Sequence, residues 1–234
     1  MEEQFLAVPV AAAAAEDRSA FLRRVAALTF GGLLLTAIVS VLSTIFVVPF
    51  VFRGGTWAVL GVVYGSFLLA QTVARNMVYG NAKVAGFLLG AMMQGIALGF
   101  LLLITIASSN QIQQGLQIIL YCLAMVILSV AAMLMYVTIE RHEFSLLRAG
   151  LSMAFLPMLG LMALQLVFPI GGTFGIVIAA VFLLVSVGAM LYRLNFVVHE
   201  MGTNMVMEGA YELTLGIVVF FWNLLSFVNR LRRR

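Results

Sequence analysis

The sequence predicts an all-α membrane protein, a polytopic bundle of seven helices with a central, short last helix. Three observations carry this. Of 234 residues, 64% are hydrophobic and only 9% charged, with a mean hydropathy of +1.14, more apolar surface than a water-soluble domain can hide. The charges stand far apart, leaving long uncharged stretches. These stretches run continuously, without the alternation over about ten residues that marks a transmembrane barrel strand.

A membrane-crossing helix needs roughly 20 apolar residues, so the uncharged stretches count the spans. Between Arg24 and Arg53 lie 28 such residues, and between Arg53 and Arg75 lie 21, one helix each. The 56 between Lys83 and Glu140 hold two helices, divided by the polar cluster Ser108, Ser109, Asn110, Gln111, Gln113, Gln114, Gly115. The 44 between Arg148 and Arg193 also hold two, divided by Pro169, Gly171 and Gly172. Between Glu212 and Arg230 only 17 remain, about 26 Å of helix against a hydrocarbon core of about 30 Å. The expected segments lie near 25–48, 57–74, 84–107, 116–138, 147–168, 173–192 and 210–228. Residues 1–19 form an amino-terminal tail, 20–230 a single transmembrane domain, and 231–234 a basic tail.

The opening does not read as a cleaved leader, which would start basic. It carries Glu2 and Glu3, an alanine run at 11–15, then Glu16 and Asp17. Asp17 or Ser19 would cap a helix beginning near Ala20. With the amino terminus in the cytoplasm, Arg18, Arg23, Arg24, Arg75, Lys83, Arg141, Arg148 and Arg193 fall inside and Arg53 outside, which satisfies the positive-inside rule. Arg230, Arg232, Arg233 and Arg234 break it if the last segment crosses. A segment that enters and returns would keep them inside. The expected location is a bacterial inner membrane.

Apolar helices need small residues to approach closely in lipid. The third segment has two such frames, Gly86 with Gly90 and Gly95 with Gly99, so it is expected to pack centrally against at least two neighbours. Pro157 should bend the fifth segment. The 14 methionines read as flexible core filler.

Polar groups inside a membrane are the default functional candidates. On the last segment Glu212, Gly216, Val219, Asn223, Ser226 and Arg230 recur at steps of three and four, one helix face that should turn inward. Gln94 is an amide in mid-membrane that needs partners. Arg75 and Arg193 end their segments near the cytoplasmic side, where each either snorkels to headgroups or turns in to meet Glu212 or Glu208. Snorkelling is the simpler expectation for Arg75.

Other chemistries find little support. The single Cys122 gives no disulfide framework. His142-Glu143 and His199-Glu200 lack the second histidine of a helical zinc site, and no phosphate loop, dinucleotide fingerprint or nucleophile elbow occurs. Neither an enzyme activity nor a cofactor is expected. The basic tail is too short for nucleic acid and suits lipid headgroups. The expected partners are the bilayer and, on one reading, other membrane-protein subunits.

Several stretches together resemble the Bax inhibitor family, the transmembrane Bax inhibitor motif proteins and their bacterial relatives. They are the run from Phe21 to Ala37 (FLRRVAALTFGGLLLTA), Gln94-Gly95-Ile-Ala-Leu-Gly99, Leu191-Tyr192-Arg193-Leu194-Asn195, and Asn223-Leu224-Leu225. The resemblance implies a seven-helix bundle around its last helix, a pH-sensitive calcium leak in some members, and modulation of membrane stress or of a membrane protease in others. It also implies an aspartate after the tyrosine of the sixth segment and another within the seventh, a pair that senses protons, and a glutamate in the third segment. This chain places Arg193, Gly216 and Gln94 there, so the acid pair is absent. Arg75 matches a basic residue of the family. Two functions follow: an ion leak that has lost its sensor, or a non-conducting scaffold or regulatory subunit of a larger membrane complex.

Overall fold

The computed structural model describes residues 9–109, 111–139 and 172–232. Among them stand six helices long and apolar enough to cross a membrane: α1 (Ala15–Arg53), α2 (Gly55–Tyr79), α3 (Lys83–Ala107), α4 (Ile112–Ile139), α5 (Gly172–Glu200) and α6 (Val206–Arg232). The expected segment at 147–168, with Pro157, lies outside the described residues.

Local chemistry explains the helix ends. At the first turn Gly55 has φ +80°, a left-handed backbone that glycine adopts without steric cost. Gly172 does the same with φ +64° where α5 begins. Within α1 a π turn spans Ser43–Val47. Its cause is Pro49, which has no N–H to donate and whose ring crowds the carbonyl four residues back, at Ile45. The first helix starts at Ala15, and Ala14 at its N-cap offers no side-chain cap, so the cap expected from Asp17 or Ser19 does not form. Ser19 instead donates to the Glu16 carbonyl at 2.8 Å.

The last helix corrects the sequence reading. Its 27 residues make about 40 Å of helix, so it is not short, and no re-entrant turn interrupts it. The uncharged stretch after Glu212 understates its length, because the helix begins at Val206 and carries Glu208 and Glu212 into the bundle, both buried. Its central place is as expected: α6 packs against each of the other five described helices.

Helix α3 is the second axis. A Cβ at Gly86 would lie 2.7 Å from the Ala74 carbonyl of α2, and one at Gly90 would overlap the Tyr211 ring of α6. Those at Gly95 and Gly99 would fall 2.8 and 2.9 Å from the Thr36 and Ser40 carbonyls of α1. Both frames are therefore contact surfaces, and they serve three neighbours. Hydroxyls lock the closest seam: Thr36 donates to the Ala91 carbonyl at 3.3 Å and Thr44 to that of Gly99 at 3.1 Å.

At the amino-terminal end, Val10 is fully buried, and its N–H donates to the Met201 carbonyl at 2.8 Å. The residues before α1 thus pack onto the α5–α6 connection.

Candidate functional site

Glu212 sits on α6 with its side chain 7% exposed. A carboxylate carried this far from water must be paired or neutral. Three donors from two other helices meet it. Arg75 Nη2 of α2 lies 3.0 Å from Oε1, and the Tyr79 hydroxyl, four residues further along α2, donates to the same oxygen at 3.1 Å. Arg193 Nη1 of α5 is 2.9 Å from Oε2 and donates also to the Glu212 carbonyl at 3.2 Å. The Arg75 guanidinium lies 5.6 Å from the Tyr79 ring centroid, a cation–π contact.

Glycine makes the Arg193 contact possible. A Cβ at Gly216 would stand 3.0 Å from Arg193 Cδ and 2.8 Å from Met190 Sδ. The arginine side chain therefore lies across the bare backbone at Gly216 to reach Glu212, one turn nearer the amino-terminal end. Arg193 and Gly216 form one device. Two guanidinium groups and one carboxylate leave the cluster with a net charge of +1, and arginine keeps its proton throughout the physiological range.

A second pair lies closer to the amino-terminal end of α6. Lys83 Nζ is 2.7 Å from Oε1 of Glu208, a residue with no exposed surface. The contact is ionic without hydrogen-bond geometry, and Oε2 has no hydrogen-bond partner among the described residues.

The sequence candidates divide accordingly. Arg193, Gly216, Glu212 and Arg75 converge. Arg75 thus turns inward to pair, although half its side chain stays exposed, and the snorkelling expectation fails. Gln94 is buried as expected, 1% exposed, but neither atom of its amide has a hydrogen-bond partner among the described residues. Asn223 stays apart from the cluster, donating to the Val219 carbonyl of its own helix at 3.0 Å. The polar face turns inward only in part: Glu212 and Gly216 are buried, whereas Val219, Asn223, Ser226 and Arg230 are half-buried.

Sequence reasoning missed Tyr79, Tyr211 and the Lys83–Glu208 pair. Tyr79 had a usable signal, since four residues after Arg75 on one helix places the two side by side.

Fold and site together define a polytopic helical membrane protein with a charged cluster buried against its central helix. The sequence matches the family model described as "Inhibitor of apoptosis-promoting Bax1" over residues 18–233, and the chain belongs to the Bax inhibitor family. No curated protein matches it significantly.

Proposed function

We propose that this is a Bax-inhibitor-type integral membrane protein of cation (calcium) leak ancestry, in which a fixed positive charge has taken the place of the proton-sensing acids. With that site locked, the bundle serves as a non-conducting scaffold or regulatory subunit of a larger membrane complex, such as a modulator of a membrane protease. One observation carries the reading: Arg193 lies across Gly216 and binds Glu212 at 2.9 Å. Arg193 and Gly216 stand at the two positions at which the family resemblance implies aspartates. Hard cations want oxygen ligands and negative charge. Here the only carboxylate of the cluster is taken up by two arginines and a tyrosine hydroxyl.

The proposed location is a bacterial inner membrane with the amino terminus in the cytoplasm, supported by the bias of Lys and Arg. The unbroken α6 then carries Arg230 and Arg232 to the outer side.

Calcium flux into proteoliposomes tests the reading. The purified protein should show no steep titration between about pH 6 and 8, because no acid pair shares a proton at this site. A sigmoidal proton dependence would contradict it, unless the response vanished in Glu212→Gln, which would make that carboxylate the sensor. Steady flux at every pH would favour an ungated leak over the scaffold.

A further inference from the structure

We propose that Tyr211 is a positioning residue whose hydroxyl holds Arg75 in register with Glu212. The inference is independent of whether the protein conducts.

Arg75 does not follow a regular helix. Directly before it, α2 makes a π turn at Ala70–Ala74. An i→i+5 turn takes in one residue more than an α turn. One residue of helix corresponds to about 100° of rotation and 1.5 Å of rise. Had α2 continued as plain α-helix from Leu69, Arg75 would therefore point elsewhere around the axis. Unlike the π turn of α1, this one has no proline after it to account for it.

The structure supplies a different cause. The Tyr211 hydroxyl donates to the carbonyl of Ala70, the first residue of the π turn. Tyr211 is 2% exposed and packs in one cluster with Ala70 and Ala74, both fully buried. Its ring occupies the notch that Gly90 leaves open on α3, where any Cβ would overlap it. Tyr211 also directly precedes Glu212, so a single turn of α6 grips the backbone of α2 and presents the carboxylate that Arg75 reaches at 3.0 Å. On a helix, consecutive side chains diverge by about 100°. One residue is thereby free to hold the turn while the other receives the arginine.

A tyrosine that merely fills space would need its ring and not its hydroxyl, and Tyr211→Phe separates the two. The full-length variant, purified in mild detergent, is treated with phenylglyoxal, and modification of each arginine is followed by peptide mass spectrometry. An ion-paired guanidinium reacts slowly. In Tyr211→Phe, Arg75 should react severalfold faster than in the parent protein while Arg53, remote from the cluster, keeps its rate. Gly90→Ala, which displaces the ring and with it the hydroxyl, should change Arg75 in the same direction. Three results would overturn the proposal: an unchanged Arg75 rate in folded Tyr211→Phe, an equal rise at Arg53, or a Tyr211→Phe protein that fails to fold, since a positioning hydroxyl is dispensable for the fold itself.

Discussion

The two halves of α6 are held in the bundle by different forces. In the half nearer the amino-terminal end, Glu208 and Glu212 meet Lys83, Arg75 and Arg193, and Tyr211 and Gly216 fit side chain against bare backbone. In the other half, Phe220, Phe221 and Leu225 pack against Leu98, Leu101, Cys122 and Val126. That half is charge-free until Arg230, with one buried polar bond near its end, from Asn229 to the Thr105 hydroxyl at 2.7 Å. Within a bilayer the apolar half gains little from leaving lipid, so its cohesion rests on shape and close contact. The charged half rests on electrostatic pairing in a medium where an unpaired ion is expensive. The first kind of contact tolerates graded change. The second fails when one partner is removed.

Glu212→Gln should therefore have the largest effect. It leaves two guanidinium groups without their counter-charge, and most of the cost falls on Arg193, the less exposed of the two. The expected loss is about 3 to 5 kcal/mol, read as a lower unfolding midpoint in detergent. Leu225→Ala, at a fully buried position of the apolar half, should cost less, about 2 to 3 kcal/mol, because the loss is a cavity and the missing contacts around it. If Leu225→Ala proves as damaging as Glu212→Gln, the contrast between the halves disappears. Gln94→Leu should have the smallest effect and the opposite sign. Removing an amide that has no hydrogen-bond partner among the described residues should leave stability unchanged or raise it by about 1 kcal/mol. A clear loss in the same melting assay would mean that the amide is partnered in the membrane.

The same contrast explains what was legible in the sequence. Spans governed by apolar length stood out from the spacing of charges alone, and α1 to α4 run where that spacing puts them. The last helix runs beyond what that spacing gives, because Glu208 and Glu212 lie within it and do not act as boundaries. Glu208 and Glu212 remain inside because basic residues distant in sequence neutralise them, and no local pattern announces such a partner. The Arg193–Glu212 pair was one of two readings open in the sequence, because both residues sit at the same end of adjacent segments and Glu212 lies on a face expected to turn inward. The Arg75 contact was open as an alternative to snorkelling, but nothing local decided between them, since the π turn at Ala70–Ala74 that precedes Arg75 has no proline or other sequence mark. Tyr211 itself reads in sequence as one more aromatic residue of the core.

The central claim is the proposal that Arg193 over Gly216 is a lock standing where the family resemblance implies a proton-sensing pair. The most direct test is to rebuild that pair as Arg193→Asp with Gly216→Asp and to compare calcium flux into liposomes with that of the parent protein across about pH 6 to 8, the range over which a coupled carboxylate pair can titrate. The Met190 sulfur, 2.8 Å from the Cβ position at 216, must shift to admit the new side chain, and a flexible thioether can do so. The account predicts a flat profile for the parent and pH-dependent flux for the double variant. A parent that titrates steeply, or a folded double variant that stays impermeable at every pH, would contradict it.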